Sequence, residues 1–146
     1  MKIRLMQKED LRKVAELNVA AFSGRSGAEL PFSRQYSNVK SDYDSGAKRA
    51  CLVAEDNGKI IGYVMARIKQ DAWEFEKTAV ICNIGVLPKR RKAGLGTVLM
   101  RRCELSLRNA GVRRILLKVR VKNRPAKALY GKLGYEPSSI EMTKLV

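Results

Sequence analysis

The spacing of apolar and polar positions changes several times along the chain, and each change marks an element. Lys2–Met6 alternates and predicts a short first strand. Leu11, Val14, Leu17 and Ala21 form a helical stripe within Lys8–Phe22. Residues 23–49 keep no strong period, and a structureless stretch that long is uncommon, so a short helix that helps shape a site is expected there. Cys51–Glu55, the turn Asp56-Asn57-Gly58 and then Ile60–Ile68 read as a hairpin. Ala79–Leu87 is an apolar run long for a solvent-facing strand and reads as buried on both faces, and Pro88 ends it. Leu95, Leu99, Cys103 and Leu107 line one side of a helix over Gly94–Ala110, which Gly111 stops. Ile115, Leu117, Val119 and Val121 alternate with Leu116, Lys118, Arg120 and Lys122, as in a strand with one apolar face. A short helix over Pro125–Leu133 is opened by Asn123 and closed by Gly134, and Ile140–Leu145 reads as a last strand. The order predicts one mixed α/β domain over 1–146, built around a single sheet.

Composition narrows the class. The 146 residues, 45% apolar and 30% charged, suit one folded domain with a core. No apolar run approaches the ~20 residues of a membrane span, and the start MKIRLMQKED has no signal-peptide segment, so a cytoplasmic protein with no membrane association is expected. The chain has no histidine, which excludes histidine acid–base chemistry and histidine-ligated metals. Cys51, Cys82 and Cys103 are an odd number without CxxC spacing; they are expected to be small buried hydrophobes, and no metal is expected.

Charge is concentrated. Residues 89–132 carry 15 basic side chains and one acidic, Glu104, whereas residues 1–88 carry 14 basic and 11 acidic. A segment so basic points to a polyanionic partner such as phosphates, RNA or the ribosome, or an acidic protein. A lysine-rich solvated surface is the alternative.

The chemistry-bearing stretch is ICNIGVLPKRRKAGLGTVLM. A buried strand runs through a basic turn into Gly94-Leu95-Gly96, which opens a helix. A helix start leaves backbone N–H groups unpaired and adds positive potential. Glycines there let a ligand approach the backbone, and Lys89, Arg90, Arg91 and Lys92 add charge. This is a pyrophosphate cradle, although neither GxxxxGK[ST] nor GxGxxG occurs. Gly85 interrupts an apolar strand, which suggests a bulge or a close backbone approach there.

Arg91-Lys92-Ala93-Gly94-Leu95-Gly96 fits the R/Q-x-x-G-x-G/A signature of the GNAT acetyltransferases. The run from Val119 to Tyr135, with Asn123, Leu129, Tyr130 and Gly134, resembles the V-R-x-x-N-x-x-A-x-x-L-Y-x-x-x-G-F/Y block of that superfamily. The chain is most similar to the ribosomal-protein-alanine N-acetyltransferase (RimI) and N-terminal acetyltransferase branch. The resemblance implies a mostly antiparallel central sheet with a splayed, bulged strand, flanked by helices, and acetyl-CoA as the acetyl donor. It implies that backbone N–H groups of Arg91, Lys92, Ala93, Gly94, Leu95, Gly96 and Thr97 hold the pyrophosphate. It further implies that Ile84 and Val86 main-chain groups pair with the pantetheine amides, that Asn123 lies near the sulfur, and that Tyr130 is the general acid. A backbone N–H of the bulged strand would meet the developing oxyanion.

Two departures bear on the acceptor. The glutamate expected twelve residues before Tyr130 is Lys118, and the one used in another branch, eleven before Arg91, is Val80. The base is therefore open, with Glu74 and Glu76 as candidates beside Asp42, Asp44 and an ordered water. A peptide α-amine has a pKa of ~7.7–8.0 against ~10.4 for a lysine, so a weak base suits α-amines. Pointing the other way, only Glu136-Pro137-Ser138-Ser139 separates Tyr135 from the predicted last strand. That short connection implies an open acceptor groove, with Tyr36 and Tyr43 among its walls. The expected function is acetyl transfer from acetyl-CoA to a protein or peptide N-terminal α-amine, the acceptor being ribosomal or acidic. The alternatives are a GNAT enzyme for lysine, polyamine or small-molecule amines, and a catalytically weak GNAT-fold module that contacts RNA or the ribosome through 89–132.

Overall fold

The computed structural model describes residues 1–22, 31–69 and 76–146. Five strands form one sheet in the order β1 (Lys2–Leu5), β2 (Leu52–Asp56), β3 (Lys59–Lys69), β4 (Thr78–Val86) and β5 (Arg114–Leu117). The first three pairings are antiparallel and β4–β5 is parallel. α1 (Leu11–Phe22) and α2 (Phe32–Asp44) cover one face. α3 (Leu95–Asn109) and α4 (Arg124–Lys132) cover the other.

The hairpin forms where the sequence predicts it. Asn57 and Gly58 both take positive φ, 49° and 74°, the type I′ geometry that matches strand twist. Each helix buries the stripe read from its spacing: Leu11, Val14, Leu17 and Ala21 against β3, and Leu95, Leu99, Cys103 and Leu107 against the opposite face. Gly111 and Gly134 end α3 and α4 in left-handed backbone, at φ 85° and 91°. The helix expected in 23–49 is α2, thirteen residues long. Cys51 and Cys103 are buried and Cys82 half-buried, and burial pushes the Cys103 thiol up to about 12.

Three local expectations are corrected. The strand predicted to continue to Val121 stops at Leu117, where its pairing with β4 ends opposite Ile81, and Val119 and Val121 beyond it are exposed. Ile140–Leu145 forms no strand, and Ile140 and Met142 are 86% and 88% exposed. An alternating pattern needs a neighbouring strand, and β5 is too short to supply one. Finally, the bulge lies at Cys82 rather than Gly85. Met65 faces Asn83 and Ala66 faces Ile81, so Cys82 is the extra residue, while Gly85 stays in register with Tyr63.

Gly85 serves close approach. A Cβ there would stand 2.6 Å from Tyr63 Cε1. The Tyr63 ring is fully buried, and its hydroxyl accepts from Asn18 Nδ2 at 2.6 Å and donates to Asn83 Oδ1 at 2.8 Å. The ring lies over the glycine and cannot retreat. Gly85→Ala is expected to cost about 2 kcal/mol by overpacking, a fall of roughly 4–8 °C in Tm. Thermal denaturation followed by circular dichroism checks it; an unchanged Tm would mean the ring moves freely.

Candidate active site

The site is built where β5 parts from β4. Pairing between them ends at Ile81 and Leu117. On the other edge of β4, Leu87 N–H donates to Ile61 O at 2.9 Å, and Gly85 faces Tyr63 two residues earlier. Antiparallel strands alternate the direction of their main-chain groups. Leu87, Gly85 and Asn83 therefore turn theirs toward β3, and Val86 and Ile84 turn theirs into the gap. There, Arg91 Nε donates to Val86 O at 3.2 Å. The outward groups of Ile84 and the Val86 N–H face the gap with no strand beside them among the described residues.

At the upper end of the gap stands the α3 N-terminus. Its cap is Gly94, at φ 79°, which has no side chain to bond the first-turn N–H groups. The first intrahelical bond of α3 is Val98 N–H to Gly94 O, at 3.1 Å. The N–H groups of Leu95, Gly96 and Thr97 thus point past the helix end. Lys92 precedes them in left-handed backbone, at φ 64°. A non-glycine residue held there costs about 1–2 kcal/mol, and such strain collects at ligand-binding turns. A Cβ on Gly94 would meet nothing within 4 Å, so space stands open beside the start of α3. One on Gly96 would reach Leu129 Cδ2 at 3.3 Å, which is how closely α4 packs on α3.

The basic turn divides its labour. The Arg91 N–H donates to Pro88 O at 3.3 Å, and Arg91 Nη2 donates to Ala21 O at 2.6 Å. Arg91 therefore ties the end of α1 to the end of β4, and its own N–H is spent inside the turn. Arg90 pairs with Asp56. Lys89 and Lys92 are exposed beside the helix start.

α4 brings Tyr130 into the apolar cluster that also holds Leu95, Ile84 and Val86. Its ring meets Tyr135 edge-on, 5.9 Å between centroids. No hydrogen bond engages the Tyr130 hydroxyl among the described residues, and no buried side-chain polar atom there is left unpaired, so that hydroxyl opens toward solvent. Burial pushes its phenol above the usual value, which keeps it protonated at neutral pH and able to donate. Tyr135, by contrast, is spent on Glu104 Oε1 at 2.8 Å. Asn123 accepts from Ala126 N–H at 3.3 Å as the α4 cap.

The remaining candidates are scattered. Glu76 is exposed before β4, 3.5 Å from Arg114, at the end of the sheet away from the gap. Glu74 lies outside the described residues. Lys118 follows β5 and pairs with Glu141 at 2.8 Å. Tyr36 and Tyr43 pack on the α1/α2 cluster, Tyr36 stacked on Phe32 and Tyr43 under the Lys48 ammonium. The chain Asn18–Tyr63–Asn83 was missed in the sequence. Its signals were a polar residue on the apolar stripe of α1 and another inside an apolar strand.

The sequence profile of the Acetyltransferase (GNAT) family matches residues 11–135. A Bacillus subtilis (strain 168) protein, provisionally named a ribosomal protein bS18-alanine N-acetyltransferase, is 30% identical over 138 residues, 94% of this chain and 82% of its own length. The N-alpha-acetyltransferase of Sulfurisphaera tokodaii is 34% identical over 97 residues, 60% of this chain and 56% of its own. The structure of AAC(6′)-Iy in complex with the bisubstrate analogue CoA-S-monomethyl-acetylneamine superposes with a TM-score of 0.75 at 20% identity, over 99% of this chain and 97% of that one.

Proposed function

The chain belongs to the GNAT acetyltransferase family, and on that premise we propose that it moves acetyl from acetyl-CoA to the N-terminal α-amine of a protein or peptide. The family uses acetyl-CoA as its co-substrate. The observation that carries the reading is the uncapped, glycine-opened start of α3 above a gap lined by main-chain groups. The N–H groups of 92–97 hold the pyrophosphate, with Lys89 and Lys92 beside it. Ile84 and the Val86 N–H pair with the arm, Asn123 flanks the sulfur, and Tyr130 gives the leaving thiolate its proton. A free thiol has a pKa of ~8.5, so that proton is a real but modest aid. Attack is direct, with donor and acceptor bound together. The names of the relatives support an N-terminal acceptor.

A second reading, with lysine, polyamine or small-molecule amines as acceptors, is favoured by the exposed, strandless 136–146 segment. The basic 89–132 segment adds a contact to an anionic partner, RNA or ribosome included, expected to weaken steeply with salt.

Two matched peptides test the acceptor. One has a free α-amine and acetylated lysines; the other has a blocked α-amine and free lysines. Acetylation of the first alone is expected. Acetylation of the second alone would move the acceptor to lysine, and of neither would remove peptides altogether.

A further inference from the structure

The sheet has two outer strands. β5 borders the gap described above, and β1 lies at the far side, pairing with β2 alone among the described residues. Met6 N–H donates to Cys51 O at 2.8 Å, and the register carries the same pairing back through Arg4↔Val53 to Lys2↔Glu55. Main-chain groups alternate in direction along an antiparallel strand. Those of Lys2, Arg4 and Met6 therefore turn to β2, and those of Ile3 and Leu5 turn outward. The Leu5 carbonyl accepts from Arg4 Nη1 at 3.2 Å. The N–H groups of Ile3 and Leu5 and the Ile3 carbonyl have no strand beside them among the described residues. Such a row of edge groups is a template for one more strand.

The two faces of this edge differ. On the α1 side, Arg4 is held by Asp10 and Glu55 at 2.7 and 2.8 Å. On the α3 side, a groove of about 300 Å³ runs between the edge and the helix. Leu5 and Leu52 form its sheet wall, and Arg102, Leu105 and Asn109 its helix wall. Leu5 and Leu105 are 51% and 49% exposed, so the groove has apolar lips. Its surroundings are cationic. Arg101 and Arg108 stand one turn to either side of Leu105 and are exposed, as Arg102 is. No hydrogen bond or ion pair engages these three guanidinium groups among the described residues. The single acidic residue of α3, Glu104, is engaged by Tyr135 at 2.8 Å.

We propose that the groove between β1 and α3 is a docking site for an extended acidic segment of a partner protein, added to the sheet as a strand on β1. The outward groups of Ile3 and Leu5 pair with the incoming main chain. An apolar side chain of that strand enters between Leu5 and Leu105, and its carboxylates meet Arg101, Arg102 and Arg108, whose planar forks match them. In strand addition, main-chain bonds supply affinity and pockets for alternate side chains supply specificity. The site lies across the sheet from the β4–β5 gap and goes beyond the acetyl-transfer reading.

Two other occupants fit less well. RNA would use the arginines, but bases stack on aromatic faces, and no aromatic side chain lines the groove. A second copy paired through the same edge would set the two α3 helices side by side, arginine against arginine, and like charges in contact are costly.

Amide chemical-shift mapping with the blocked peptide acetyl-EVELEVE-amide tests the proposal, with and without acetyl-CoA. Shifts are expected on Ile3, Leu5 and Leu105, half-saturating below about 1 mM and unaltered by acetyl-CoA. Leu105→Glu and Arg102→Glu should each weaken binding about tenfold by bringing a carboxylate to the groove. Both positions are exposed, so the fold should hold by circular dichroism, and either variant suffices if the other does not fold. The peptide methylated on every backbone nitrogen keeps its charge, loses its donors and should bind at least tenfold more weakly. No saturable shift at these amides, displacement by acetyl-CoA, full binding by the methylated peptide, or full binding by a folded variant would each overturn the site. Tighter binding of a short oligouridine at the same amides would assign the groove to RNA instead. Edge shifts that grow with protein concentration in the absence of peptide would assign it to a second copy.

Discussion

Gly96→Trp is expected to lower acetyl-CoA affinity by about 100-fold or more, close to 3 kcal/mol. Gly96 lies in the first turn of α3, where no side chain caps the N–H groups. An anion on those groups gains hydrogen bonds and the helix field together. Even a Cβ at Gly96 already reaches Leu129 at 3.3 Å, so an indole must either enter the cradle or push α4 aside. Both outcomes remove the proposed pyrophosphate site. Gly96→Ala is the control: its methyl is tight but tolerable against a flexible leucine, and binding is expected to stay within about tenfold. Titration calorimetry reads both, with circular dichroism to verify folding. A folded Gly96→Trp protein with wild-type affinity would move the phosphates elsewhere.

Tyr130→Phe is expected to lower kcat by about 100-fold, the low end for general acid catalysis, because a thiolate is a fair leaving group unaided. The phenylalanine keeps the edge-on contact with Tyr135 and the packing against the α3/α4 core. KM for acetyl-CoA should therefore hardly change, and stability should not fall, since the hydroxyl makes no hydrogen bond among the described residues. The phenol is raised by burial, so it stays protonated through neutral pH. The wild-type rate should show no loss from Tyr130 ionisation below its ordinary pKa of ~10. Steady-state kinetics against acetyl-CoA separates the two parameters; a rise in KM at constant kcat would make Tyr130 a binding residue only.

Much of this was legible in the chain, because the elements of the proposed donor site are local. The hairpin turn needs two residues at positive φ, and Asn57-Gly58 supplies them. The α3 stripe and its glycine start are read within one window. What lay outside local reading depends on pairing across the sheet. Gly85 announced something unusual, but only the register with Tyr63 tells close approach from a bulge, and only the count from Met65 to Ala66 puts the extra residue at Cys82. Alternation over Val119, Val121 and Ile140–Leu145 looked like strand, yet a strand needs a neighbour and none is there among the described residues. Arg91 read as mobile charge for a phosphate; folding spends it on Val86 and Ala21. Tyr63 and Asn83 stand 20 positions apart in the sequence, and no spacing rule would join them.

Amide chemical-shift mapping during an acetyl-CoA titration tests the central claim most directly. The largest changes should fall on the amides of 92–97, Ile84 and Val86, saturating together at one equivalent. Changes centred elsewhere, or no saturable change at all, would contradict a donor site built on the α3 N-terminus and the β4–β5 gap.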